Sequence, residues 1–246
     1  MFFSRYKLTF QYDGTNFSGW QLQNNKRTVQ GEIEKAFKNL TKSNVRIPVF
    51  GSGRTDTGVH AVGQVVHVDL DINLSPENLI KAVNANLPVD VELLQSTKVD
   101  NEFHSRYDAK KRLYRYQCFI GKSLLHSNQC WKMNNLKISK LNSISSQILG
   151  EHDFLSFSKF NKKKLNTNCK IFLSRWTRNK NFIYYDIIGD RFLHHMVRYL
   201  VGSMIAVHDK RLTLSEFINL IKNPKKNVRI FKAPPQGLIL QKVFYD

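Results

Sequence analysis

The sequence predicts an α+β fold, a mixed but mainly antiparallel sheet with flanking helices, built as two similar halves. Three observations carry this expectation. Runs with period-two alternation are interspersed with runs of helical spacing, strands and helices recur in a similar scheme before and after about residue 105, and no Pro- or Ser-rich linker separates the two parts. The halves are accordingly assigned to residues 1–105 and 106–246. With 246 residues, 41% apolar and 12% aromatic, the chain has the material for a real core, which argues against disorder of the whole.

Tyr6, Leu8, Phe10 and Tyr12 alternate with Lys7, Thr9 and Gln11, the pattern of a half-buried strand, and Asp13-Gly14 is the turn signal that ends it. Thr28 is the N-cap of a helix whose apolar residues Val29, Ile33, Ala36, Phe37 and Leu40 share one face. Residues 47–50 and 64–70 read as strands on either side of a polar, glycine-rich loop. Ser75 caps a second helix, Pro76 sits in the first turn, where its missing N–H costs nothing, and Leu79, Ile80, Val83 and Leu87 form the stripe. The second half begins with a strand over 112–120, followed by a helix over 139–149 stopped by Gly150. Strands over 172–177 and 182–188 precede a helix from about 191 to 207. Thr213 and Glu216 have capping-box spacing for another helix, and 238–245 closes the chain as a strand.

Thirty-eight Lys and Arg against nineteen Asp and Glu leave a formal charge of +19, so the surface carries a broad positive potential. A polyanionic partner follows, with nucleic acid first; charge alone does not separate RNA from DNA, acidic lipid or an acidic protein. The three cysteines, Cys118, Cys130 and Cys169, form no C-x-x-C pair, so neither a disulfide framework nor a cysteine-rich zinc site is expected, and a reducing cytoplasm fits. No apolar run reaches the length of a signal-peptide core or membrane span, and the protein is read as cytoplasmic with no membrane partner.

The most unusual stretch is Gly51-Ser52-Gly53-Arg54-Thr55-Asp56-Thr57-Gly58-Val59-His60-Ala61, in which three glycines bracket an Arg and an Asp. As an anonymous loop it is a turn whose glycines supply positive φ and whose Asp bonds neighbouring amides. Two phosphate-binding readings fail: a dinucleotide fingerprint needs glycine where Asp56 stands, and a P-loop needs Lys and Ser or Thr where Val59 and His60 stand. A carboxylate beside an arginine also suits chemistry at a sugar carbon, because Asp can attack or stabilise positive charge at an anomeric centre while a guanidinium keeps it ionised.

This loop resembles the motif G-x-G-R-T-D-x-G-V-H of the TruA-type tRNA pseudouridine synthases, with Asp56 on the family's essential aspartate and Thr57 where alanine is common. Further likenesses run along the chain. Residues Tyr12 to Gln21 (Y-D-G-T-N-F-S-G-W-Q) are similar to the family's opening motif, and Thr28-Val29-Gln30-Gly31-Glu32 to its first helix. Phe103-His104-Ser105-Arg106-Tyr107 and Lys111 to Tyr116 resemble its central strand. Gly150-Glu151-His152-Asp153-Phe154, Phe192 to Arg198 and Gly237-Leu238-Ile239-Leu240 resemble later motifs.

The resemblance implies the pseudouridine synthase fold and an isomerase of tRNA uridines 38, 39 and 40 in the anticodon arm, working as a homodimer without cofactor or metal. Asp56 is then the catalytic carboxylate, either attacking C1′ or taking the 2′ proton to give a glycal. Arg54 fills the space left by a flipped base or holds its phosphate, and Arg198 compensates the charge of Asp56. Tyr114 contacts the base, its alternative being a core or edge-strand tyrosine that shares a face with Tyr116 and Cys118. Leu240 lines the uracil pocket or is ordinary core. His194 and His195, if adjacent on a helix, point about a hundred degrees apart and cannot easily share a metal, so they are packing or RNA-facing residues. RNA phosphates are assigned to Lys110, Lys111, Arg112, to the run Lys162-Lys163-Lys164, and to Arg175 and Arg178. Two alternatives stand beside this: a related synthase with another RNA target, and a non-catalytic RNA-binding protein. No G-x-S-x-G elbow favours a hydrolase.

Overall fold

The computed structural model describes residues 4–72, 74–159, 166–228 and 230–246. In chain order the elements are β1 (Ser4–Tyr12), α1 (Val29–Thr41), β2 (Phe50–Gly51), β3 (His60–Leu70), α2 (Pro76–Asn84), β4 (Val91–Val99), β5 (Lys111–Ile120) and β6 (Trp131–Met133). There follow α3 (Ile138–Ser145), β7 (Gly150–Asp153), β8 (Asn168–Asn179), β9 (Phe182–Gly189), α4 (Met196–His208), α5 (Leu214–Lys222) and β10 (Leu238–Phe244). The fold is α+β with mainly antiparallel strand pairs. The chain divides into two compact units, residues 1–110 with 240–246, and residues 111–239.

In the first unit the strands neighbour one another in the order β4-β1-β3-β10, with β2 on β3. β1 is central and antiparallel to both β3 and β4. Its alternation sends Tyr6, Leu8, Phe10 and Tyr12 to the core face, none more than 4% exposed. The Thr28 hydroxyl accepts the Gly31 N–H and starts α1, which buries Val29, Ile33, Ala36 and Phe37. Ser75 caps α2 in the same way, with Pro76 in the first turn, and α2 packs on β4. This helix ends at Asn84, so Leu87, predicted as part of its stripe, lies beyond the helix.

Residues 47–49 correct the sequence reading, since the predicted strand over 47–50 shrinks to Phe50–Gly51. The reason is where their backbone groups go. The Val49 N–H donates to the Glu34 carboxylate (3.1 Å), the Val49 carbonyl accepts from Gln30 (3.1 Å), and Pro48 has no N–H, so α1 takes the place of a strand partner. β4 was not among the predicted strands: it is an edge strand whose alternation lapses after Leu93.

The second unit has the order β5-β9-β8-β7, with β6 parallel to β5. Its core holds Tyr116 and Cys118 of β5, Trp176 of β8, and Ile183, Tyr185 and Ile187 of β9. Trp176 and Tyr185 pack with ring centroids 4.8 Å apart. α3 packs against β8 and α4, and α4 is buried almost all round from Met196 to Val207. α5 opens with the full capping box, the Thr213 hydroxyl accepting the Glu216 N–H while the Glu216 carboxylate accepts the Thr213 N–H. The predicted helix over 139–149 stops earlier, at Ser145, and continues as a 3-10 turn over Ser146–Ile148. Gly150 opens β7 rather than ending α3.

One histidine of the first unit is held neutral. His67 on β3 is 3% exposed, and its Nδ1 accepts the Ser105 N–H at 3.1 Å. Burial, then the nearby His104 and Arg5, lowers its pKa from 6.5 to about 4. The unfolded chain therefore binds a proton that the folded chain refuses, so this contribution to stability is complete above pH 6.5 and is lost as pH falls through about 4. Denaturant midpoints between pH 7 and pH 4 should fall for the parent protein, and the fall should be shallower in His67→Gln. Equal slopes would show that His67 does not titrate as described.

Candidate active site

The loop between β2 and β3 is tied at both ends before it reaches Asp56. The Ser52 N–H donates to Val65 O (2.8 Å), the Ser52 hydroxyl to the Gln64 side chain (2.8 Å), and the Gln64 amide to Gly53 O (2.9 Å). On the far side the Val59 N–H donates to Asp56 O (3.1 Å), closing a turn through Gly58, whose φ is +75°. Thr55 is held twice: its hydroxyl pairs with the buried Tyr12 hydroxyl (2.8 Å) and its carbonyl accepts the Trp20 N–H (3.1 Å). Asp56 is thus a half-buried side chain on a backbone fixed from both sides.

The segment after β1 presses directly on this loop. A Cβ on Gly14 would lie 2.1 Å from the Val59 carbonyl oxygen. At Gly19, where φ is +89°, a Cβ would lie 2.9 Å from Thr55 O and 3.2 Å from both the Asp56 carbonyl carbon and Thr57 N. His60 adds a polar tie, its Nδ1 accepting the Gly14 N–H at 3.0 Å and standing 3.1 Å from the Asp13 carboxylate. With Nδ1 as acceptor the ring proton is on Nε2, which is buried without a partner among the described residues. Burial raises the pKa of Asp13, but hydrogen bonds from the Thr15 hydroxyl and N–H outweigh it and hold the carboxyl below its ordinary value. Gly14, Gly19 and His60 were not named as site residues from sequence, although all three fall inside matched motifs.

The remaining expected residues are placed as follows. Arg54 is exposed, and its neighbour Gly53 has open space where a Cβ would be. Leu240 on β10 is 1% exposed in the first unit. In the second unit Tyr114 lies on the inward face of β5 with Tyr116 and Cys118, 9% exposed, and meets Phe192 edge to face at 5.3 Å. Arg198, in the first turn of α4, is 7% exposed; its Nε donates to Ala233 O (2.9 Å), and its own carbonyl accepts the Ala233 N–H (3.0 Å).

The predicted helix from about 191 begins instead at Met196, because His194 O accepts the Lys159 N–H, Leu193 O accepts the Met196 N–H and His195 is left-handed at φ +65°. His194 and His195 are therefore not successive helical residues. Their rings stack at 3.9 Å, which removes the angular argument against their acting together.

Among the basic residues, Lys110, Arg175 and Arg178 are exposed and Lys111 and Arg112 half-buried. Three of them have local duties, Arg178 through its Nε, which donates to Lys180 O at 2.9 Å. Arg112 donates to Asp190 O at 2.7 Å, and Lys111 sits 4.7 Å from the Phe172 ring centroid. The run Lys162-Lys163-Lys164 lies outside the described residues.

Comparison with known proteins gives these residues a context. The family described as tRNA pseudouridine synthase matches residues 8–108 and 144–246. The tRNA pseudouridine synthase A of Limosilactobacillus reuteri (strain DSM 20016) is 36% identical over 248 residues, covering 98% of this chain and 96% of that protein. The enzyme of the same name from Borreliella burgdorferi (strain ATCC 35210 / DSM 4680 / CIP 102532 / B31) is 36% identical over 240 residues, with 96% of each chain covered. Among solved structures, a chain in the crystal structure of a Cbf5-Nop10-Gar1 complex aligns with 95% of this chain and 57% of its own length, at 9% identity and a TM-score of 0.39, too distant to add to the argument.

The class is thereby defined: an RNA-modifying isomerase that forms pseudouridine. Within that class, the chain belongs to the TruA-type tRNA pseudouridine synthase family.

Gly19→Ala tests the backbone clamp. The added methyl must displace Thr55 or Asp56 by a few tenths of an ångström or more, and misplacement of that order near a reacting centre costs up to roughly a hundred-fold in rate. Pseudouridine formation in tRNA should fall by about ten- to a hundred-fold while the far-ultraviolet circular dichroism stays that of the parent. Unchanged turnover would mean that the close approach does not position Asp56.

Proposed function

We propose that the chain isomerises uridines 38, 39 and 40 in the anticodon arm of tRNA, as a cytoplasmic homodimer, with Asp56 as the catalytic carboxylate. The observation that carries the assignment of Asp56 is its backbone: the loop bearing it is held on both sides by backbone contacts so close that a Cβ at Gly14 or Gly19 would force the neighbouring backbone to shift. A carboxylate fixed in this way is pre-organised for one geometry. The substrate positions and the dimer rest on the family's motifs, and the relatives' names support tRNA as the class of substrate.

The chemistry needs little else. The N1–C1′ bond of the uridine breaks, the uracil turns, and C5 joins C1′; C5 then gives up its proton and N1 gains one, so nothing is lost or gained overall. The base must leave its stack to expose C1′, at a cost of roughly a few kcal/mol. Exposed Arg54 beside the open Gly53 is suited to occupy the vacated stack or hold the flipped phosphate. Asp56 acts ionised, by attack on C1′ or by removal of the 2′ proton. Arg198 is assigned the compensating charge on the strength of the family's motif. Tyr114 is assigned the face of the uracil.

Two measurements test the reading. With a tRNA transcript tritiated at uracil C5, the parent protein should release label from positions 38 to 40, whereas Asp56→Asn should bind the transcript and release none; turnover by Asp56→Asn would overturn the assignment. Affinity should also fall steeply with salt, because the contacts proposed for the basic residues are phosphate contacts, and each neutralised phosphate adds about 0.7–0.9 to the steepness of the log–log slope. A flat response would remove the phosphate role from these residues.

A further inference from the structure

The mechanism leaves unused a chain of rings in the first unit that ends in open solvent. Phe50 on β2 stacks on His67 of β3, with centroids 4.9 Å apart and planes 12° apart. His104 meets His67 at 4.6 Å and 61°, and Tyr107 meets His104 at 4.2 Å and 32°. His67 is buried and His104 half-buried between them, whereas Phe50 at one end is 47% exposed and Tyr107 at the other 76%. One face of the Tyr107 ring is covered by His104, so that exposure belongs to its opposite face and its edge.

A lone exposed tyrosine needs no explanation; this one differs in how firmly its backbone is held. The His104 Nδ1 accepts the N–H groups of both Arg106 (3.1 Å) and Tyr107 (3.3 Å), and the Asp108 carboxylate accepts the His104 N–H (2.8 Å). Ser105 is fully buried. Its hydroxyl donates to Phe50 O (2.5 Å), its N–H to His67 Nδ1, and its carbonyl accepts the Tyr245 hydroxyl (2.7 Å). Arg5 reaches the same loop, donating to the carbonyls of Asn101 and Phe103 while paired through two bonds with Asp69. Because His67 stays neutral down to about pH 4, its bond to the Ser105 N–H does not change near pH 7.

The loop thus fixes the orientation of a bare aromatic face, and little conformational freedom remains to be lost when something flat stacks on it. Arg106 and Lys110 beside it are exposed, but so are Asp100 and Glu102, so the loop is not simply an anion site and stacking must provide the recognition. We propose that Tyr107, backed by His104, His67 and Phe50, is a stacking platform for an unpaired nucleobase of the bound RNA, separate from the uridine that reacts. The proposal rests on the reading that tRNA is the substrate. Stacking of one base on a protein aromatic is worth about 1–3 kcal/mol, and it tolerates any base because each has a π face.

The test uses the full chain and a tRNA transcript. Tyr107→Ala should weaken tRNA binding by about 5- to 150-fold, the fold-change equivalent of one lost stack. Tyr107→Trp should restore it, and the single-turnover rate at saturating tRNA should stay at the parent value in both. Transcripts carrying one abasic site at successive unpaired positions then identify the base: at one position the abasic lesion and Tyr107→Ala should not add. Parent-like affinity of Tyr107→Ala overturns the platform, as does a loss of affinity that accompanies dissociation of an oligomer in sedimentation, which would make the face a protein contact. If the parent protein itself releases no tritium from tRNA, the proposed substrate fails instead, and the two failures are distinguishable.

Discussion

The geometry around Asp56 depends on a close approach of backbones. Residues 14 and 19 lie so near Val59 and Thr55–Thr57 that a Cβ at either position would force the neighbouring backbone to shift. Two strands make this possible. β1 and β3 run antiparallel from Ser4 opposite Leu70 to Tyr12 opposite Ala61, so the segment leaving β1 and the loop entering β3 emerge at one end of the sheet. An irregularity in register between Phe10 and Tyr12 falls where the two strands hand over to the loops. The hydrogen bonds of Thr55 and Gly14 then set the distance. Without the sheet register the glycines would have nothing to approach; without the glycines the register would force the loops apart.

Much of this was legible because it is local. The caps at Thr28, Ser75 and Thr213 are side chains acting within three residues of their own helix, and each was predicted from spacing alone. Strands with one buried face, such as β1 and β9, announce themselves by alternation. The failures have non-local causes. Residues 47–49 carry the β-branched content of a strand, but Gln30 and Glu34 of α1 take their hydrogen bonds, and nothing near them in sequence reports it. The start of α4 was placed too early because Phe192 and Leu193 continue its apolar pattern, whereas the bond from Lys159 to His194 O fixes a turn there. For the site, motif likeness pointed to Asp56, but what Gly14, Gly19 and His60 do to its backbone could be read only from distances.

The ion pairs show how a chain with a formal charge of +19 arranges its few acids. Arg27 makes two bonds to Asp90 and one to Glu32, and its guanidinium carbon lies 4.2 Å from the Phe17 ring centroid. The backbone of the same residues holds the segment that presses on the Asp56 loop, since Ser18 N–H donates to Arg27 O and Asp13 N–H to Asp90 O. Arg46 with Glu34 organises the residues before β2, and Arg115 with Asp186 spans β5 and β9. In each pair the arginine stays open to solvent although the carboxylate is buried or half-buried, and pairs screened in this way contribute on the order of 1 kcal/mol or less each, so their value is in fixing where a segment lies rather than in holding the fold together. They also divide the cations by chemistry. The planar arginine fork is used where a carboxylate must be held at a defined angle, and most lysines are left as solvated point charges. The positive potential is therefore carried largely by side chains whose loss costs the fold little, while Glu32, Glu34, Asp69, Asp90, Asp186 and Asp209 are engaged with arginines that fix where their segments lie.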